Sequence, residues 1–116
     1  LNGIPNLSIL DGWWAEGYDL LLTPTVGMLP PLIGEFTSAP DSPLEGFLRT
    51  SPLGAYTVAF NLTGQPAISL PLHWTAAGLP VGVQLVASYA REDLLLRVAS
   101  QLEEAQPWKD KWPSLI

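Results

Sequence analysis

Two short apolar segments followed at once by an amphipathic stripe set the tightest limit on how this chain can fold. Ala67-Ile68-Ser69-Leu70-Pro71-Leu72 reads as a strand ending on proline. A turn region, His73 to Pro80, carries Gly78 and leads into Val81 to Ser88. There Val81, Val83, Leu85 and Ala87 alternate with Gly82, Gln84, Val86 and Ser88, the period of two that a strand imposes. Two strands about eight residues apart predict an antiparallel hairpin. Immediately after it, Leu95, Val98, Ala99 and Leu102 repeat at helical spacing, which predicts a helix from about Arg91 to Glu104. Glu92 and Asp93 suit the positive end of that helix.

Upstream the signals are more broken. Tyr18 to Thr25 holds three consecutive leucines without polar alternation, which predicts a strand buried on both faces in the middle of a sheet. Asn6 to Glu16 predicts a helix with Ile9, Leu10, Trp13 and Trp14 on one face, Ser8 as its cap and Gly17 as its end. The paired tryptophans read first as packing residues. Residues 24–43 hold Pro24, Pro30, Pro31, Pro40 and Pro43, and a loop this long is functional or wraps a neighbour. Ser42-Pro43-Leu44-Glu45 has the form of a capping box with proline at the first helical position, so a short helix is expected there, ended by Pro52. A second helix, about Pro52 to Asn61, should stop at Gly64 and Pro66. The predicted core is Leu20, Leu21, Leu22, Ile68, Leu70, Val83 and Leu85 under Leu95, Val98, Ala99 and Leu102. The tail, Gln106 to Ile116, sets Trp108 and Trp112 around Lys109 and Lys111.

Composition narrows the class. At 116 residues one domain is the ceiling. Hydrophobic residues reach 47% and charged residues only 14%, too few to cover the whole surface of an independent globule. With a start at Leu1 rather than Met, this suggests a piece of something larger. A net charge of −6 and a pI near 4.4 oppose binding to a phosphate backbone, which needs clustered Lys and Arg. Five tryptophans and the apolar content argue against disorder. The absence of cysteine removes disulfides, thiolate metal sites and a cysteine nucleophile. No apolar run approaches the ~20 residues of a membrane span, and no secretory signal is visible.

The chemistry-bearing residues are sparse. His73 is the one histidine, G-x-S-x-G is absent, and one imidazole with scattered carboxylates gives no metal-ligand spacing. Glu92-Asp93 and Glu103-Glu104 read as helix-end and solvated charges rather than a catalytic pair. No G-x-G-x-x-G or P-loop is present. Asn6-Leu7-Ser8 and Asn61-Leu62-Thr63 match the glycosylation pattern, but nothing supports secretion. Nothing in this chain assembles a nucleophile, a base and an orienting group.

Four stretches in order carry more: Tyr18–Thr25 (YDLLLTPT), Asn61–Pro71 (NLTGQPAISLP), Gly78–Ala87 (GLPVGVQLVA) and Glu92–Glu103 (EDLLLRVASQLE). Together they resemble the C-terminal part of the amidase-signature enzymes, a family of serine amidohydrolases. The resemblance implies an α/β fold, one end of a large α/β/α domain three to four times this length, with a mixed central sheet covered by helices. It implies hydrolysis of carboxylic amides by a Ser–cis-Ser–Lys triad, with backbone amides stabilising the oxyanion and neither metal nor cofactor taking part. Those catalytic elements lie upstream in the family. The only lysines here are Lys109 and Lys111, and no Gly-Gly-Ser-Ser run exists, so no catalytic position carries over. What this segment would supply is the last strands, their covering helix and one wall of the substrate cleft. Thr25, Leu29, Phe47, Tyr56, Phe60 and Asn61 are the candidates for lining or bordering the acyl pocket. Implied partners are the remainder of the amidase chain and a small-molecule amide, with no nucleic acid and no membrane, in the cytoplasm. The isolated chain is expected to self-associate. Two other readings stay open: the catalytic component of a glutamyl-tRNA amidotransferase, its A subunit, which would need charged contacts to glutamine, and a non-catalytic assembly module.

Overall fold

A computed structural model describes residues 12–113. Three strands, β1 (Leu20–Pro24), β2 (Ala67–Trp74) and β3 (Pro80–Ala87), form one antiparallel sheet in the order β1-β3-β2. Three short helices, α1 (Glu45–Arg49), α2 (Ser51–Gly54) and α3 (Val58–Thr63), lie between β1 and β2, and α4 (Glu92–Ala105) follows β3. The class is α/β, as the sequence predicts.

The hairpin forms as expected and runs further. β2 continues to Trp74, and a tight turn closes it: Thr75 N donates to Leu79 O, while Leu79 N donates to Thr75 Oγ1. Pro71 has no N–H, which an edge strand tolerates. Next to it the ladder skips Leu72, a bulge between the Pro71–Gly82 and His73–Val81 pairs. The Leu72 carbonyl is thereby free for Gln106 Nε2, 3.0 Å away, and this bond ties the tail to the sheet edge.

Helix α4 covers one face of the sheet, where Leu70, Leu85, Ala87, Leu95 and Ala99 form the buried cluster and Leu20, Ile68, Leu72, Val98, Leu102 and Trp108 pack around it. The predicted core is thus largely in place, with three corrections. Leu22 is 65% exposed, Leu21 is half-buried, and Val83 is half-buried outside the cluster. The reason is the position of β1: it pairs only with β3, so it is an edge of this sheet and not its centre. Leu22 stands opposite Leu85, but α4 lies over β3 and β2 and does not reach it.

Two helix starts also differ from the pattern. Glu45 rather than Pro43 opens α1, and the Ser42 hydroxyl does not cap it. Ser38 supplies the acceptor from eight residues back, its Oγ accepting from Gly46 N at 2.9 Å. The helix expected over 52–61 is interrupted at residues 55–57, where the chain turns to present the Tyr56 carbonyl to Gln84. Its end is as predicted: Gly64 adopts the left-handed φ of 79°, and its N–H bonds Phe60 O. Of the N-terminal helix, residues 12–15 are helical and Gly17 has φ of 91°, while residues 6–11 fall outside the described residues. Trp13 stacks on Tyr18 with ring centroids 4.1 Å apart.

The molecule measures 47 × 43 × 18 Å, so its thin direction spans little more than two layers. Much of the helical arm is bare: Leu44, Phe47, Leu48 and Leu62 are each more than 60% exposed. Helices of four to six residues are too short to persist on propensity alone.

Candidate functional site

The sheet face opposite α4 is polar at its centre. Register sets Thr23, Gln84 and Ser69 in one row across the three strands. Gln84 is buried, and its Nε2 donates to Thr23 Oγ1 and to the Tyr56 carbonyl, each at 3.0 Å. One side chain therefore joins the central strand, the edge strand and the helical arm. In the next row Gly82 leaves a gap, and Thr25 and Ser69 reach across it with their hydroxyl oxygens 2.6 Å apart. A Cβ at Gly82 would lie 2.8 Å from Thr25 Oγ1 and 2.9 Å from Ser69 Oγ, so only glycine lets this pair meet. The backbone adds Thr25 N to Gly82 O and Gly27 N to Pro52 O, which pin the start of the proline-rich loop.

Two open apolar depressions lie on the loop after β1 and on the helical arm. One, of about 300 Å³, lies between Val26, Met28, Leu29 and Pro30 on the loop and Pro80, Val81 and Gly82 on β3. The other, of about 670 Å³, lies within the arm, between Phe47 on α1 and Leu53, Gly54, Ala55 and Val58.

The six candidate residues do not gather at one point. Thr25 sits in the hydroxyl pair, and Leu29 lines the smaller cavity. Phe47, 73% exposed, walls the larger one. Tyr56 holds Gln84 through its carbonyl, and its ring lies near Gly27. Asn61 is exposed on α3. Phe60 is 8% exposed, so it serves as a core residue of this chain. Gln84, Thr23 and Ser69 were not among the candidates, although the signal was there. Each is a polar residue at a position of a strand whose neighbours are apolar, and such a residue must find a partner when buried.

Charge is scarce near this face. Asp93, at the start of α4, accepts from Arg91 and Arg97, each at 3.0 Å. The Arg91 hydrogen bond, reinforced by both guanidinium charges, holds its carboxyl below the ordinary carboxylate range. This pairing supports a helix start and touches neither cavity. His73 is exposed on β2. Among the described residues no cluster of His, Asp and Glu is placed to hold a metal ion, and no helix is long and apolar enough to cross a membrane.

Comparison with known proteins gives this geometry a context. The family model Amidase matches residues 8–96. The 6-aminohexanoate-cyclic-dimer hydrolase of Paenarthrobacter ureafaciens is 50% identical over 112 residues, covering 92% of this chain and 23% of the hydrolase. The A subunit of the glutamyl-tRNA(Gln) amidotransferase of Picosynechococcus is 42% identical over 97 residues, 84% of this chain and 19% of its own length. The solved structure of a 6-aminohexanoate cyclic dimer hydrolase superposes with a TM-score of 0.84 at 47% identity, over 93% of this chain and 23% of that one. The chain therefore spans about a quarter of the length of the relatives it matches.

Proposed function

Since the chain belongs to the amidase family, we propose that it is the C-terminal segment of an enzyme that hydrolyses carboxylic amides to an acid and an amine or ammonia. The observation that carries this reading is the 0.84 superposition at 47% identity on a hydrolase of an amide. In this reading the nucleophile and base lie in the part of the enzyme this chain does not contain. The segment contributes the Leu70–Leu85–Leu95 core, the pinned loop after β1 and one wall of the substrate cleft. Thr25, Leu29, Phe47, Tyr56 and Asn61 border that wall at separate points, and Gln84 holds the two sides of it together. The cyclic-dimer hydrolase is the more similar relative, at 50% against 42% for the amidotransferase component, which favours hydrolysis of a small amide over transfer of ammonia to a tRNA-linked substrate.

The test has two arms. The 116-residue chain, at verified mass, should hydrolyse aryl and aliphatic amides no faster than buffer, because it holds no activated nucleophile with its base. The same residues grafted in place of the matching quarter of the Paenarthrobacter hydrolase should restore hydrolysis of the 6-aminohexanoate cyclic dimer. A folded graft without activity would refute the reading.

We also propose that the isolated chain associates with itself. The bare arm and Leu22 present apolar surface of the kind that marks an interface. Screening over about 8 Å at physiological salt leaves the charge of −6 a weak obstacle. Pro71 interrupts the β2 edge and Pro24 ends the short β1 edge, so the association runs through the apolar face rather than by strand pairing. Sedimentation at tens of micromolar should show a dimer or larger species. A sharp 12.5 kDa monomer would overturn the proposal.

A further inference from the structure

Gln84 closes a ring that runs through three parts of the chain. From β3 its Nε2 donates to Thr23 Oγ1 on β1. The backbone continues from Thr23 to Gly27, whose N–H donates to the Pro52 carbonyl at 2.8 Å. From Pro52 it runs through the end of α2 to Tyr56, whose carbonyl accepts the second Gln84 proton. The ring is tightly drawn: a Cβ at Gly27 would lie 3.0 Å from Pro52 O and 3.6 Å from the Tyr56 ring. The two acceptors restrict the side chain that can close it. A carbonyl can only accept, and the Thr23 hydroxyl spends its proton on the Pro24 carbonyl at 2.9 Å, so both partners require an N–H. One nitrogen carrying two protons answers both, which a carboxylate, a thioether or a hydroxyl cannot. Gln84 is 4% exposed, so water competes little for either bond. The arm has few other ties to the sheet. Among the described residues Phe60 is the one buried apolar side chain of α1–α3, and the Tyr89 hydroxyl holds the far end through the Thr63 carbonyl.

We propose that Gln84 is a positioning residue: it sets the spacing between the loop after β1 and the helical arm, and through that spacing the affinity of the cleft wall for substrate. The proposal deepens the amidase reading and rests on it. Gln84 is too buried to touch a substrate itself, and the nucleophile and base of that reading lie upstream. Its effect therefore falls on binding and not on the chemical step. A wall that meets the substrate equally in the ground state and the transition state changes KM and leaves kcat. Loss of folded protein does the reverse, lowering the apparent kcat at unchanged KM.

The probe is the grafted hydrolase acting on the 6-aminohexanoate cyclic dimer. Gln84→Met keeps the length of the side chain and removes both donors. It should raise KM about ten-fold, on the order of one hydrogen bond's worth of binding, with kcat within about two-fold. Thr23→Val removes one acceptor and should raise KM about three-fold, whereas Thr23→Ser, which returns the hydroxyl, should bring KM back. Both changes act on one ring, so adding Thr23→Val to Gln84→Met should add nothing. A fall in kcat at unchanged KM, an additive double variant, or Thr23→Ser as impaired as Thr23→Val would overturn the proposal. If Gln84→Met does not fold, the two Thr23 variants decide alone. The ring also has a readout without turnover. In the 116-residue chain carrying Thr23→Val, the Gly27 amide should exchange faster, while the Ala87 amide, bonded to the Pro66 carbonyl outside the ring, keeps its rate. Unchanged exchange at Gly27 refutes the positioning. A graft of the unaltered residues that is inactive on the dimer sinks the amidase reading instead, and the exchange result then decides the ring by itself.

Discussion

Gly46→Ala is expected to lower stability by about 3 kcal/mol or more, at the top of the range for overpacking a close-packed site. Gly46 is buried in α1, under the loop that carries Phe36 and Ser38. A Cβ built there overlaps the Phe36 carbonyl oxygen and comes within 2.6 Å of Ser38 Oγ. The first of these is backbone, which cannot rotate aside. Relief requires the loop to lift, and lifting breaks the Gly46 N to Ser38 Oγ bond that starts the helix. The damage should be local before it is global. Urea denaturation would give the size of the loss, and amide exchange should show residues 36–50 opening while the hairpin stays protected. A variant with the parent midpoint would mean that the loop does not sit against α1 as described.

Leu70→Ala should cost about 2–5 kcal/mol, the usual range for truncating a buried leucine, whereas Leu22→Ala should cost less than about 1 kcal/mol. The two leucines look alike in sequence, each within an apolar strand. Their surroundings differ: Leu70 is 5% exposed under α4, and Leu22 is 65% exposed on an edge strand. Chemical denaturation of the two variants side by side checks the sheet order directly. Equal losses would place β1 inside the sheet and contradict the order β1-β3-β2.

The parts of the fold that sequence reveals are those whose partners lie nearby. β2, β3 and α4 carry period-two and helical patterns, and they pack chiefly on one another within Ala67–Ala105, so pattern and environment agree. β1 shows where that logic stops. Three leucines in a row record how apolar a strand's neighbours are, but not which of those neighbours belong to this stretch of chain. Capping is similar. Ser42-Pro43-Leu44-Glu45 has the local form of a helix start, yet the hydroxyl in use comes from Ser38, brought in by a loop whose path no short motif encodes. The break at residues 55–57 depends on Gln84, a partner 28 positions from Tyr56. The wall of the proposed cleft was legible only as a set of candidates. Thr25 and Phe47 lie on different elements with different neighbours, and their separation depends on tertiary geometry.

The pairing of β1 with β3 also determines an order of assembly. Gln84 and Thr23, hydrogen-bonded across the sheet, are 61 positions apart. Closing a loop of that length costs roughly 4 kcal/mol of chain entropy, from the logarithmic dependence on loop size. The β2–β3 hairpin and α4 need no such closure, because each follows the last within a few residues. They form the template, and β1 joins a surface that already exists. A ribosome making this stretch therefore holds β1 and the arm unpaired until Ala87 has emerged, and in that interval the leucines of β1 are open to a chaperone or to another nascent chain.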